Sequence, residues 1–252
     1  MKYILLVILI IPLGLYSQDK IETDRPNETE TPINVPKKYV QVETGFNKEN
    51  EKNGEWTLVH PTSLLKYGIS KKMELRMDAS VVTQYMHLVP DPQEETYLEP
   101  IRLGTKISLS EEKGVLPKTS LLAHIAVPFL SGAKGKISHA APSFRFAMMN
   151  TISKMISLGY NLGAEWDGES STPSWLYTFS PGFELGKKWY GYVESYGFIT
   201  KGDSPDNNLD AGFAYLISDD MQLDLSGGVG LSAHSLRNYV AIGFSFRFKA
   251  LK

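Results

Sequence analysis

The sequence predicts an all-β protein, an antiparallel up-and-down transmembrane β-barrel of roughly 12 strands. From Tyr39 onward, segments of about ten residues alternate apolar and polar side chains, as strands do when one face meets lipid and the other a lumen. Short turns and longer polar loops alternate between these segments. No apolar run beyond the N-terminal segment reaches the roughly 20 residues of a membrane helix. A membrane protein of this kind can therefore only be a closed barrel.

Residues 1–17 are predicted to be a cleavable signal peptide. Lys2 precedes an apolar run from Ile4 to Leu15, and the small or polar residues Ser17 and Gln18 follow it. A positive start, a short apolar core and a cleavable end are typical of exported proteins. The alternative is an N-terminal membrane anchor, which the shortness of the apolar run disfavours.

Residues 18–38 form a polar arm that contains Pro26, Pro32 and Pro36. This composition predicts an irregular segment without a core of its own. The arm could fold into the periplasmic mouth as a plug, or it could remain a loose tether in water. As a plug, it would pair Arg25 with lumen carboxylates such as Glu43 or Glu74. The candidate plug residues are Asp24, Arg25, Glu28 and Glu30.

The barrel is predicted to occupy residues 39–252. Clear alternation marks strands at residues 40–46, 65–69, 73–81, 101–109, 143–148, 156–166, 177–185, 209–217, 221–231 and 239–248. Two less regular segments, Ser120–Pro128 and Trp189–Ile199, bring the total to roughly twelve, and single-chain bacterial barrels have even numbers.

The connections predict which end of the barrel faces which compartment. The short turns, expected at the periplasmic end, are Ser70–Lys72, Ser153–Met155, Gly186–Lys188 and Ser218–Asp220. The longer polar segments, expected to be extracellular loops, are Asn47–Glu55, Val89–Glu99, Trp166–Pro173, Thr200–Asn208 and Ser232–Asn238. This asymmetry is typical of outer-membrane barrels.

Charged side chains on the polar faces are predicted to line the lumen, because a basic residue on the lipid face costs about 2–4 kcal/mol at mid-bilayer. The candidates for lining the lumen and setting its selectivity are Glu43, Lys66, Glu74, Arg76, Asp78, Arg102, Lys106, Arg145 and Glu184. They could set a transverse field that orients solutes, or neutralise one another and fill the lumen. A barrel of about eight strands leaves no channel, and a barrel of about 16 strands leaves a wide one. A barrel of twelve strands lies between these limits.

Composition excludes several classes of function. Without residues 1–17, which contain Lys2, the chain has 25 basic and 28 acidic residues, a formal charge of −3. No basic excess points to nucleic acid. The chain has no cysteine, which excludes disulfides, a Cys-based zinc site, a thiol nucleophile and an N-terminal lipid anchor.

No enzymatic activity, metal or cofactor is predicted. The five histidines form no closely spaced ligand set. A barrel lipid hydrolase would need a serine and a histidine together on the lipid-facing wall. His124 with Ser143 or Ser157 is one such pairing, but serine is too frequent in this chain for the pairing to be specific.

The arm and the first strand carry a family resemblance. Residues 23–32 read TDRPNETETP and residues 41–45 read QVETG. Together they resemble the start of a family of outer-membrane proteins named for the meta-pathway of phenol degradation and described as transporter-like barrels. Residues 65–69 (LKYGI), 73–76 (MELR) and 158–163 (LGYNLG) also resemble this family, although such short sequences are common in barrels. The resemblance covers most of the mature chain and implies porin-like transport without naming a substrate.

We therefore expect a monomeric outer-membrane channel of a Gram-negative bacterium for the passive passage of small solutes, with hydrophobic or aromatic solutes as candidates. The expected partners are outer-membrane lipid, the transported solute and the barrel-assembly machinery. The main alternative is a closed structural barrel whose surface loops carry a binding function. A barrel enzyme and a soluble barrel with a polar exterior are further alternatives.

Overall fold

The computed structural model describes residues 20–88 and 90–250, so the predicted signal peptide lies outside the described residues. The strands are β1 Tyr39–Asn50, β2 Trp56–Ser70, β3 Met73–Met86, β4 Gln93–Leu98, β5 Arg102–Ser110, β6 Lys118–Ala126, β7 Ala141–Thr151, β8 Ile156–Glu165, β9 Ser174–Glu184, β10 Trp189–Thr200, β11 Asp206–Ser218, β12 Met221–Gly230 and β13 Asn238–Lys249. Within the described ranges, no helix is long and apolar enough to cross a membrane.

The strands close into an antiparallel barrel. β1 pairs with β13 from Tyr39 opposite Lys249 to Asn50 opposite Asn238, and β2 joins β1 to β3. From β5 to β13 each strand pairs with the next one in the sequence. β4 pairs with the second half of β3, whose first half pairs with β5. Twelve strands therefore form the closed wall with β4 as an addition to β3, and the predicted antiparallel transmembrane barrel is confirmed.

Several strands extend further than the sequence predicts, and the largest differences are at β2 and β4. β4 lies within the predicted loop Val89–Glu99, and β2 begins at Trp56 rather than near Leu65. β1, β3 and β11 also extend by three to five residues towards the long-loop end. Residues 93–98 read QEETYL, and none of them is buried: three are exposed and three are half-buried. They lie at the long-loop end, beyond the apolar exterior, so neither face carries the apolar alternation that marks a membrane-spanning strand.

The exterior of the barrel is apolar and the interior is polar. On β12, Leu223 and Leu225 are 43% and 53% exposed, whereas Asp224 between them is 4% exposed. The same inversion recurs around the wall, with apolar side chains outside and charged ones buried within. A barrel surrounded by lipid requires this arrangement, because hydrocarbon solvates apolar groups and not charges.

The two ends of the barrel differ in their connections. Short turns join β2 to β3 and β11 to β12 at the end where β1 begins and β13 ends. Longer connections, such as residues 127–140 and 166–173, lie at the opposite end. By the rule for outer-membrane barrels, the first end is periplasmic and the second extracellular.

The lipid-facing position of Leu225 makes a stability prediction. We expect Leu225→Arg to destabilise the folded barrel by about 2–4 kcal/mol, since a charge would enter mid-bilayer hydrocarbon. Leu185, which follows β9 at a periplasmic turn and is 51% exposed, provides the matched control. Leu185→Arg should cost at most about 1 kcal/mol near the interface. Urea unfolding in lipid vesicles measures both, and equal costs would contradict the lipid-facing assignment of Leu225.

Candidate functional site in the barrel lumen

The arm lies inside the barrel. At the periplasmic end, the backbone N–H of Ile21 donates to the carbonyl of Asp219 (2.7 Å), and that of Lys38 donates to the carbonyl of Gly68 (2.7 Å). Between these points the arm passes along the lumen wall, where Ile21 and Val35 are each only 4% exposed. The barrel wall therefore provides the hydrogen-bond partners and the packing surface that this polar segment lacks within itself.

Asp24 is at the centre of a buried group of ion pairs. Its carboxylate contacts Lys66, Nη1 of Arg76 at 3.1 Å and Nζ of Lys106 at 3.2 Å. Removing one partner from a buried ion pair is costly, because it leaves a charge without compensation. Glu43 pairs with Lys66, and Glu74 lies 3.4 Å from Arg76 and 3.6 Å from Lys106. We call this group the Asp24 cluster; its members are Asp24, Glu43, Lys66, Glu74, Arg76 and Lys106.

Arg25 binds a different wall from the one expected. Its Nη2 lies 3.1 Å from Oδ1 of Asp224 on β12, rather than against Glu43 or Glu74. Glu43 instead accepts the backbone N–H groups of Asp24 (3.0 Å) and Arg25 (3.1 Å). A Cβ added to Gly243 would overlap the Arg25 side chain. Glycine at this lumen-facing position thus makes room for the arm.

The middle of the arm is bound through both backbone and side chains. Glu194 accepts the backbone N–H groups of Glu28 (2.7 Å) and Thr29 (2.8 Å). Arg145 donates to the carbonyl of Glu28 (2.7 Å) and to its Oε1 (2.8 Å). Asn161 accepts the N–H of Glu30 (2.7 Å) and donates to its carbonyl (3.0 Å). Buried backbone groups need such partners, and the lumen wall provides them in place of a sheet or helix.

All of the lumen residues named from the sequence face the lumen. Five of them belong to the Asp24 cluster, and Arg145 holds Glu28. Arg102 pairs with Asp78 near the extracellular end, and Glu184 lies 4.0 Å from Lys20 at the periplasmic mouth. Of the plug candidates, Glu30 accepts two hydrogen bonds from Nη2 of Arg76, at 3.0 and 2.9 Å. Asn161, Glu194 and Asp224 are among the wall residues that bind the arm but were not singled out from the sequence. They lie on the polar faces of their strands, but alternation does not show which of these residues meets the arm.

The arm separates two cavities. On the periplasmic side is a cavity of about 230 Å³ whose lining includes Glu22, Glu184 and Tyr190. On the extracellular side is a cavity of about 360 Å³, which we call the vestibule. Arg25, Asn27 and Glu30 border both of them. The arm is thus the partition between the two water-accessible halves of the lumen.

The wall has a side that carries most of the basic residues and a side that carries carboxylates. The first side also contains Glu43, Glu74 and Asp78. Its basic side chains are on β2, β3, β5 and β7: Lys66, Arg76, Arg102, Lys106 and Arg145. The buried carboxylates across from them, on β10, β11 and β12, are Glu194, Asp210 and Asp224. The arm matches this division, because its acidic residues contact the basic wall and Arg25 contacts the acidic wall. Most of these charges are therefore neutralised locally while the arm is in place.

The pKa of Asp24 makes docking of the arm sensitive to acid. Burial alone would raise the pKa of this carboxyl, but Lys106, Lys66 and Arg76 together hold it well below its usual value. A lowered pKa stabilises the docked state above the free value of about 4, and this stabilisation declines gradually as the pH falls from that value towards the lowered pKa. We expect the arm to stay docked at neutral pH and to be docked more weakly in acid, so that the channel conducts more often. Bilayer conductance at about pH 7 and pH 3 measures this, and channels that close in acid would contradict it.

The lumen offers little support for catalysis or metal binding. Within the described part of the chain, no group of three or more His, Asp or Glu residues could hold a metal ion. His124 lies opposite Ser143 in the β6–β7 pairing, and both line the vestibule rather than the lipid-facing wall. The arrangement expected of a barrel lipid hydrolase is therefore not present at this pair.

Comparisons with known proteins agree with this architecture. Residues 23–248 match the model of a family described as "Putative MetA-pathway of phenol degradation". A search of curated proteins found no match.

Among solved structures, an outer membrane channel from Pseudomonas putida F1 is similar, with a TM-score of 0.64, 9% identity, and coverage of 86% of this chain and 97% of that one. The NanC porin follows with a TM-score of 0.52, 9% identity and coverage of 82% and 98%. The KdgM porin in complex with disordered oligogalacturonate has a TM-score of 0.51, 8% identity and coverage of 82% and 99%.

At such low identities these likenesses show the fold, which is that of outer-membrane channels and porins. The family match is broader, since it begins inside the arm and extends to the last strand. The protein therefore belongs to the family described as "Putative MetA-pathway of phenol degradation".

Proposed function

We propose that the protein is an outer-membrane channel through which small solutes pass passively, and that the arm is its gate. The observation that carries this proposal is the position of the arm between two cavities on the barrel axis. Removal of the arm from this position would join the cavities into one path. The porin-like fold and the family membership support the same function.

The arm is held by contacts suited to reversible docking. Its main anchors are ion pairs and hydrogen bonds to the wall, at Asp24, Arg25, Glu28 and Glu30. Water that enters the lumen can replace such polar contacts at much lower cost than it could expose an apolar core. A segment bound in this way can leave the lumen without unfolding the hydrogen-bonded wall.

The proposed location is the outer membrane of a Gram-negative bacterium. The apolar exterior fits outer-membrane lipid, and the predicted signal peptide, residues 1–17, would direct export. The barrel-assembly machinery would then insert the chain, and the closed wall needs no second copy to pair its strand edges. We propose a monomer on this ground.

Solute flux into lipid vesicles tests the proposed function. Mature protein, residues 18–252, is refolded into vesicles, and swelling is followed in neutral sugars of increasing size. We expect swelling above that of empty vesicles for small sugars, and faster swelling when residues 18–38 are deleted. Folding is verified by the slower gel mobility of heated samples. Rates equal to those of empty vesicles, for both folded proteins, would contradict a channel.

A closed barrel with a binding function is the second candidate. The local neutralisation of lumen charges by the arm favours it, because such a lumen can be filled without conducting. This candidate predicts no swelling even after deletion of the arm. The same vesicle experiment therefore separates the two functions.

A further inference from the structure

The vestibule combines arginines with an apolar wall. Four arginines, Arg25, Arg76, Arg102 and Arg145, line it, together with six carboxylates, Asp24, Glu28, Glu30, Glu43, Asp78 and Glu165. The apolar side chains on the lumen face that share this lining are Leu64, Leu122, Leu176 and Phe198. Its volume of about 360 Å³ falls in the usual range of small-molecule sites. The guanidinium of Arg145 is thus a cationic pole beside this apolar wall, and it suits an anion with an apolar body whose carboxylate replaces one of the carboxylates of the lining.

The arm already places a carboxylate at this pole. Nη2 of Arg145 donates to Oε1 of Glu28 at 2.8 Å, and Nη1 donates to the Glu28 carbonyl at 2.7 Å. The side chain of Glu28 is 37% exposed, whereas that of Asp24 is 6% exposed. A solute in the vestibule can therefore reach the Arg145–Glu28 pair without disturbing the Asp24 cluster. Guanidinium groups bind carboxylates through such charge-assisted hydrogen bonds whatever molecule carries the carboxylate.

Arg102 adds an attraction at the entrance. Leu122 on β6 lies opposite both Lys106 and Arg145, and Arg102 lies four positions nearer the extracellular end of β5 than Lys106. Arg102 pairs with Asp78, yet its side chain is 51% exposed. Exposed cations at the mouth of a low-dielectric cleft raise the local concentration of anions. The basic wall thus leads from the entrance towards Arg145.

We infer that the vestibule is a binding site for small organic carboxylates with an apolar body, whose carboxylate takes the place of Glu28 on Arg145. The exchange keeps Arg145 paired with a carboxylate, while the displaced side chain of Glu28 turns towards the water of the vestibule. The apolar body of the solute contacts Leu64 and Phe198, a contribution that the Glu28 side chain does not make. This inference names a solute class for the proposed channel and rests on that function for its role in transport. Because Arg145 also anchors the arm, binding would loosen the arm on this side.

Calorimetric titration of the folded mature protein tests the site with benzoate as the probe. Benzyl alcohol has the ring without the charge, and formate has the charge without the ring. We expect each to bind at least about tenfold more weakly than benzoate, since each lacks one of the two contributions. Arg145→Gln should weaken benzoate binding by about tenfold or more. Glu28→Ala should strengthen it by about tenfold, because it removes the internal competitor.

Lys134→Gln is the matched control for loss of one cation. Lys134 is 62% exposed and pairs with Glu95 outside the vestibule, so this variant should bind benzoate as the unaltered protein does. Equal affinities for benzoate and benzyl alcohol would overturn the inference. If Arg145→Gln fails to fold, Glu28→Ala decides, because its side chain lies on the arm and not on the wall. Unchanged benzoate affinity in Glu28→Ala would then overturn it.

The titration does not depend on conduction, so the two proposals fail separately. Benzoate binding by a barrel that passes no solute would contradict the proposed channel function and support the proposed binding site. Solute flux through a barrel that does not bind benzoate in preference to benzyl alcohol would support the proposed channel and contradict the proposed binding site.

Discussion

Asp24→Asn is expected to release the arm and open the lumen. The substitution keeps the size of the side chain but removes the charge that Lys66, Arg76 and Lys106 share. Loss of one partner of a buried ion pair costs about 3–5 kcal/mol, which is roughly a hundred- to several-thousandfold in the docking equilibrium. Once the arm is out, water can solvate the three cations. The measurement is the fraction of time that single barrels conduct in planar lipid bilayers.

Glu22→Gln is the matched control for this substitution. It makes the same change of a carboxyl group to an amide two residues away on the same arm, at a side chain that is exposed and makes no ion pair in the described structure. We expect its conductance to resemble that of the unaltered protein. Equal open fractions for Asp24→Asn and the unaltered protein, with folding verified for both, would show that the Asp24 cluster does not hold the gate.

A disulfide between the arm and the wall is expected to lock the lumen closed. A Cβ added to Gly159 would lie 3.0 Å from Cγ2 of Thr29, so cysteines at these two positions are close enough to be joined. The chain has no other cysteine, so Thr29→Cys with Gly159→Cys gives a single defined cross-link. Combined with Asp24→Asn, the oxidised protein should stay closed and the reduced protein should conduct. Vesicle swelling with and without reductant measures the difference.

The two single-cysteine variants control for the loss of Thr29 hydroxyl contacts with Thr178 and Glu194. In an Asp24→Asn background, each should conduct whether or not reductant is present. Conduction by the oxidised double variant, with the cross-link verified by mass, would contradict the view that solutes pass through the space that the arm fills.

Much of the fold follows from the sequence because lipid imposes a simple rule on each strand. A residue such as Leu225 must be apolar and its neighbour Asp224 can be charged, and this alternation is visible without a structure. The rule weakens where strands extend beyond the lipid, which is why the sequence predicts a loop where the structure has β4. The family resemblance of residues 23–32 and 41–45 also falls on segments that contact each other, since Glu43 binds the backbone of Asp24 and Arg25.

The route of the arm could not be predicted in the same way. A polar segment that is bound through individual side chains shows no periodic pattern in the sequence. Its partners on the lumen wall are therefore fixed only when the barrel closes. Several lumen carboxylates could in principle pair with Arg25. The space beside Gly243 accommodates its side chain next to Asp224. Glycines that face the lumen, where a polar side chain would otherwise be expected, are the one sequence signal that could have indicated the path.

Single-channel conductance of the mature protein, with and without residues 18–38, tests the gated-channel account most directly. The account predicts rare or small steps from the intact protein and frequent, larger, reproducible steps after deletion of the arm, because the two cavities then form one path. A verified folded barrel that remains silent after the deletion would contradict it, since the arm residues Arg25, Asn27 and Glu30 border both cavities in the described structure.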